Sequence, residues 1–88
     1  MIEFRLTRHG IDRLIERTDF EKGDDIQEYL NKVWDSKTFS AKGYFKLLHS
    51  DELKNVKNKE FRYYNKCHFI FNVHSMLRNK ITFITVLP

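Results

Sequence analysis

The sequence has one cysteine, Cys67, one proline, Pro88, and three glycines, Gly10, Gly23 and Gly43. A single cysteine excludes an intrachain disulfide and leaves no thiolate zinc site. Three scattered glycines exclude a glycine-rich phosphate loop. No run of about 18 apolar residues is present, so no membrane-spanning helix is expected. Met1-Ile2-Glu3-Phe4-Arg5 does not open the apolar core of a signal peptide, and the chain is expected to be cytoplasmic, in a reducing compartment. No two histidines have zinc spacing on a helix. Neither a metal nor another cofactor is expected.

Aromatic residues are plentiful: eight Phe, four Tyr and one Trp in 88 residues, within an apolar fraction of 41%. A chain this small buries only about two-thirds of its unfolded surface, so its core must be dense, and these rings can supply it. The composition excludes a disordered, collagen-like or low-complexity chain. One domain over residues 1–88 is expected. Charge is uneven. Residues 1–44 hold eight basic and nine acidic side chains, while residues 45–88 hold eight basic and three acidic. A basic half suits a polyanion partner, although ordinary solubility charge accounts for it equally well.

Ile2–Leu6 alternates apolar and polar residues, the pattern of a half-buried strand. Thr7 can cap a helix over Arg8–Arg17, whose apolar positions are Ile11, Leu14 and Ile15. Gly10 weakens that helix by about 1 kcal/mol relative to Ala. Asp25 and Glu28 have capping-box spacing, and Ile26, Tyr29, Leu30, Val33 and Trp34 then form one stripe of a second helix. Thr38–His49 reads as β, with Gly43 as a bend, and residues 50–59 read as a polar connection. Glu60–Tyr64 and Cys67–His74 are separated by Asn65-Lys66, a two-residue hairpin turn. Met76–Asn79 is a further turn before a final strand, Lys80–Leu87. The order predicts an α+β fold: an N-terminal strand and two helices packed on an antiparallel meander of about four strands.

Three groups of residues invite a chemical reading. His9, Arg13 and Arg17 drift by only about 40° per step of four residues on a helix and form one basic ridge, roughly opposite the Ile11-Leu14-Ile15 stripe. The ridge suits an anion, but it also reads as a solvated face, with Asp12 and Glu16 in reach for ion pairs. His68, Ile70, Asn72 and His74 share one strand face, and Phe69, Phe71 and Val73 share the other. The mixed face could be a functional floor or simply carry surface histidines. His68 and His74 are about 20 Å apart at strand rise and cannot serve one phosphate. Arg62, Tyr63, Tyr64 and Lys66 follow Lys54, Lys57 and Lys59. Interleaved cations and rings suit RNA, because phosphates take the cations and bases stack on the rings. The alternative is a cross-strand tyrosine pair with solvating lysines.

Thr7-Arg8-His9-Gly10-Ile11-Asp12-Arg13-Leu14-Ile15-Glu16-Arg17 resembles the His-Ala-x-x-Arg-x-x-x-Arg helix of the family catalogued as domain of unknown function 4258. Lys66-Cys67-His68-Phe69-Ile70-Phe71 is similar to its Leu-His-Val-Val strand, and Ile84-Thr85-Val86-Leu87-Pro88 to its closing Ile-Thr-Val-x-x-Pro strand. The matches occur in the same order and lie near both ends of the chain, so the resemblance covers most of it. Gly10 replaces the usual Ala, Lys37–Lys59 is longer, and the closing proline comes one residue early.

The resemblance implies the barnase–EndoU–colicin–RelE-like fold and a toxin- or phage-associated ribonuclease that needs no metal. It further implies that His9 and His68 transfer protons, that Arg13 and Arg17 hold a phosphate, and that Thr85 adds a supporting hydrogen bond. Arg62, Tyr63, Tyr64, Lys66, Lys57 and Lys59 would then contact RNA. A protein inhibitor (an antitoxin or immunity protein) would restrain such an enzyme. A membrane partner is not expected, and the state is monomer or homodimer. A different class remains open: a non-catalytic RNA- or protein-binding module, from a phage or mobile element, on the same fold.

Overall fold

Among the described residues, the sheet has five strands in the order β1-β5-β4-β3-β2. They are β1 (Phe4–Leu6), β2 (Lys37–Phe39), β3 (Lys59–Tyr64), β4 (Cys67–Val73) and β5 (Ile81–Leu87), with α1 (Arg8–Arg17) and α2 (Ile26–Trp34) between β1 and β2. This computed structural model describes residues 2–39, 59–74 and 80–87. The segment 40–58, which holds Gly43, Lys54, Lys57 and most of the expected strand over Thr38–His49, lies outside the described residues, as does the expected turn at Met76–Asn79. β2 to β5 form the expected antiparallel meander. β1 adds a fifth strand by pairing in parallel with the first half of β5, from Phe4 opposite Ile81 to Leu6 opposite Phe83. The class is α+β. Among the described residues, no helix is long and apolar enough to cross a membrane.

Both helices pack on one face of the sheet. Their Leu14, Leu30 and Val33 meet Phe4, Cys67, Phe69, Phe71, Val73, Ile81, Phe83 and Val86 in one core. Rings meet there edge-on: Trp34 lies 5.2 Å from Phe71 and Tyr29 lies 5.8 Å from Tyr64. A smaller apolar cluster forms on the opposite face, where Phe61 and Ile70 are joined by Ile84 and Leu87. The β3–β4 hairpin turns on Asn65 (φ 50°) and Lys66 (φ 65°). Two successive left-handed residues match the twist of the flanking strands.

α2 starts as its sequence predicts, in part. Asp25 Oδ1 accepts from the amides of Gln27 (3.0 Å) and Glu28 (3.2 Å). Glu28 itself faces Lys32 at 3.8 Å. Beside its apolar stripe, α2 carries Gln27 and Asn31. Asn31 Oδ1 accepts from the Ile2 amide (2.9 Å) and its Nδ2 donates to the Ile2 carbonyl (2.8 Å). Gln27 does the same for Phe4, at 2.7 and 3.0 Å. Residues i and i+2 of a strand present their amide and carbonyl groups on one edge, and the i, i+4 amides of a helix can match them. The two side chains thus replace a sixth strand and close an edge that would otherwise template pairing.

α1 is turned from the expected orientation. Thr7 caps it by accepting from the Gly10 amide at 2.9 Å. Leu14 is fully buried, but Ile15, expected in the core, is 40% exposed. The buried line runs instead through Gly10 and Leu14. The reason lies at position 10. A Cβ there would lie 3.1 Å from the Ile84 carbonyl oxygen and 3.2 Å from Phe83 Cδ2. Glycine lets α1 settle onto β5 beyond the end of β1, and this close approach rolls Ile15 outward.

Candidate functional site

The roll of α1 carries the basic ridge toward the sheet. Taking the Gly10–Leu14 line as the inward direction, Arg17 lies about 40° from it, Arg13 about 80° and His9 about 120°. The ridge therefore flanks the buried line and does not oppose it, a correction to the expected geometry. Arg17 is half-buried and its Nη1 donates to the Val86 carbonyl at 3.0 Å, across 69 residues of sequence. The Arg17 carbonyl in turn accepts from Cys67 Sγ at 3.5 Å. Arg17 is thus tied through its main chain to β4 and through its guanidinium to β5. Arg13 pairs with Glu16 at 2.9 Å on the outer flank. His9 is exposed in the first turn of α1.

The sheet contributes the other half. In β5, Ile81 and Phe83 face the helices, and so does Val86. A strict alternation would send Phe83 and Val86 to opposite faces. The register between β4 and β5 shifts between Ile70 and Phe71, so Ile84 is the extra residue of a β-bulge. The bulge turns Thr85 away from the helices and onto the face of Ile70, its cross-strand partner. Leu87 and its partner His68 lie on that same face. Thr85 is fully buried, and His68 is partly so. The His68 ring sits 5.1 Å from the Tyr63 ring of β3, tilted by 53°.

Val86, which receives Arg17, lies between Thr85 and Leu87. Arg17, Thr85 and His68 therefore meet the same stretch of β5 from two sides: Arg17 binds the Val86 carbonyl from the face that carries the helices, and Thr85 and His68 lie on the opposite face. His9 stands at the other end of the ridge, next to Gly10 and Ile84. The contact of residue 10 with Ile84 and the pairing of Leu87 with His68 are about 10 Å apart along the strand. His74 is exposed beyond the end of β4.

The expected RNA-contacting cluster is divided by the sheet. Arg62 is a correction: it is 6% exposed and serves the core. Its Nε donates to the Trp34 carbonyl at the end of α2 (3.0 Å) and its Nη1 to Glu60 (3.0 Å). Its guanidinium carbon lies 3.9 Å from the centre of the Trp34 ring. A cation so enclosed cannot meet a phosphate without leaving these partners. Tyr64, on the helix side, packs against Tyr29 and Phe69. Tyr63 alone of the three joins the His68 face. Lys66 is exposed at the hairpin tip and Lys59 is half-buried at the start of β3. Lys57 lies outside the described residues.

Two groups are held in their neutral forms. Burial, with the Asp19 charge nearby, pushes the Cys67 thiol up. Burial and a 2.9 Å hydrogen bond to Asp19 raise the Tyr29 phenol well above its ordinary value. Cys67 is thus poorly suited to be a nucleophile. Among the described residues, no three His, Cys, Asp or Glu side chains are grouped to hold a metal ion. No family model, curated protein or solved structure matches the chain.

The sequence singled out Arg17, Thr85 and His68 but not the features that relate them along β5. Gly10, the Val86 carbonyl and the Ile84 bulge were missed as parts of the site. One signal was present: a glycine inside a helical pattern often has a packing reason.

Proposed function

We propose that this protein is a small metal-independent endoribonuclease, toxin-like, that uses histidine for proton transfer and arginine for phosphate stabilisation. The observation that carries the reading is the docking of Arg17 on the Val86 carbonyl, which holds a guanidinium on the stretch of β5 that carries Thr85 and pairs with His68. In the proposed reaction a base takes the proton of an RNA 2′-OH. That oxygen bonds to the adjacent phosphorus, the P–O5′ bond breaks, and an acid protonates the departing oxygen. The product ends are a 2′,3′-cyclic phosphate and a 5′-OH. Imidazoles suit both proton steps because their pKa lies near neutrality. Arg17 and Arg13 supply planar, permanently charged forks for the phosphorane oxygens. Thr85 supports the arrangement from the bulge. Tyr63 offers a ring on which a base can stack, and the exposed Lys66 adds attraction for the backbone. His9, in the first turn of α1, and His68, on β4, form the proposed proton-transfer pair. An active ribonuclease needs restraint in its host, so an inhibitor protein is part of the proposal, as is a cytoplasmic location.

The test incubates purified protein with total RNA in EDTA, beside His9→Ala and His68→Ala variants. Cleavage by the wild type, reduced about 100-fold or more in both variants, supports the reading. Equal cleavage by all three refutes the assignment. Absence of cleavage with a salt-sensitive mobility shift refutes catalysis and favours the RNA-binding module.

A further inference from the structure

We propose that Gly10 is a positioning residue: by resting without a Cβ on the Ile84 bulge, it sets Arg17 against the Val86 carbonyl and so aims the guanidinium at the His68 end of β5. The functional half of this inference rests on the ribonuclease reading; the geometric half does not. Three observations lead to it. At position 10 the helix backbone lies close on the sheet, with 3.1 Å to the Ile84 oxygen and 3.2 Å to the Phe83 ring for any added Cβ. Both neighbours are held: Ile84 lies in the bulged strand and Phe83 is fully buried. Two turns further along, Arg17 reaches Val86, two residues beyond Ile84 on the same strand. Residue 10 meets the Ile84 carbonyl oxygen and Arg17 binds the Val86 carbonyl oxygen. Gly10 and Arg17 are therefore two contacts of one helix along one strand edge, the part of β5 that β1 leaves uncovered. A helix is stiff, so lifting it at residue 10 withdraws Arg17 from its acceptor. The Cys67 thiol bond to the Arg17 carbonyl anchors the far end and converts a lift into a tilt.

The same contact joins the halves of the site. The bulge that Gly10 accommodates is the feature that turns Thr85 to the His68 face. A methyl group at position 10 must either push the helix out by a few tenths of an ångström or press on the bulge. Either movement changes the relation of Arg17 to Thr85 and His68, and displacements below 1 Å in positioning residues can cost up to about 100-fold in rate.

The experiment uses the full chain as wild type, Gly10→Ala, Arg17→Ala and the double variant. Alanine is the better helix former, so Gly10→Ala should keep a dispersed amide NMR spectrum, which verifies the fold. The first readout needs no RNA: the Arg17 guanidinium resonances of ¹⁵N-labelled protein. The expected result is a shifted Arg17 Nη1–H, the group that donates to Val86, with faster solvent exchange, by about 3-fold or more, in Gly10→Ala. Unchanged Arg17 resonances in a folded Gly10→Ala variant overturn the proposal. The second readout is kcat/KM on RNA. The expected loss in Gly10→Ala is about 3- to 10-fold, and it should vanish when Arg17 is already Ala, because the two act as one unit. A loss that persists in the Arg17→Ala background overturns the proposal. If the wild type does not cleave RNA, the ribonuclease reading fails, and the guanidinium resonances still decide whether Gly10 places Arg17.

Discussion

The two helices have similar lengths and similar amphipathic patterns, yet they are held in different ways. α2 docks by a broad stripe, with Leu30 and Val33 fully buried and Ile26, Tyr29 and Trp34 packed around them. Its remaining contacts, through Gln27, Asn31 and the Arg62–Trp34 pair, fasten the sheet margins. α1 has a narrow contact, Gly10 and Leu14, and is oriented by polar bonds at its flank. The difference teaches that a helix secured by apolar area serves stability, whereas one seated on a glycine and an arginine presents a surface. Variants in α2 and its partners should therefore change stability at constant activity per folded molecule. Variants along the α1 ridge should do the reverse.

The largest separation is expected for Arg17→Ala. If the ribonuclease proposal holds, loss of the Arg17 guanidinium should lower kcat/KM on RNA by about 100- to 1000-fold. The accompanying loss of one hydrogen bond should cost only about 1 kcal/mol in denaturant unfolding. Arg62→Ala is the counterpart. It removes a buried cation from Glu60, the Trp34 carbonyl and the Trp34 ring, and should cost about 3 kcal/mol in chemical denaturation, with kcat/KM unchanged for the folded fraction. A larger effect of Arg62→Ala on RNA affinity than on stability would break the division between the helices.

Asn31→Ala comes next. It strips two bonds from the Ile2 backbone, and urea unfolding should show a loss of about 1–2 kcal/mol, together with faster hydrogen exchange in β1. A smaller change separates Tyr29→Phe from the wild type at high pH. The folded phenol is raised, so the unfolded phenol ionises first. The resulting stabilisation is complete below the ordinary tyrosine pKa of about 10 and is lost as the pH rises above it. Unfolding free energy measured from pH 9 to pH 12 should fall less steeply for Tyr29→Phe. Smallest of all is Ile15→Ala, which should shift stability by no more than about 0.5 kcal/mol. A larger loss would mean that the Ile11-Leu14-Ile15 stripe docks α1 after all.

The sequence disclosed much of the fold because its local signals agree with its packing. The Asp25 cap, the α2 stripe and the Asn65-Lys66 hairpin each state a local preference that burial reinforces. It disclosed less about the site, for a physical reason. Hydrophobic periodicity locates the face of α1 by its large apolar residues, and here the buried line runs through a residue with no side chain. The side of Arg62 was likewise open to reading as surface, because a cation in a basic, aromatic run looks alike whether a ring covers it or water does. The β1–β5 pairing and the bulge at Ile84 are relations between distant segments, which periodicity within one segment does not encode.

The central claim is that the Arg17–Thr85–His68 end of β5 performs 2′-OH attack on RNA. The most direct measurement uses a DNA oligonucleotide carrying ribose at a single internal position, incubated with the protein in EDTA, with the products sized and their ends identified. The account predicts one cut, on the 3′ side of the ribose, leaving a 2′,3′-cyclic phosphate, and no cut with His68→Ala. Cleavage at deoxyribose positions, or an intact oligonucleotide under conditions where the protein is folded and binds it, would contradict the account.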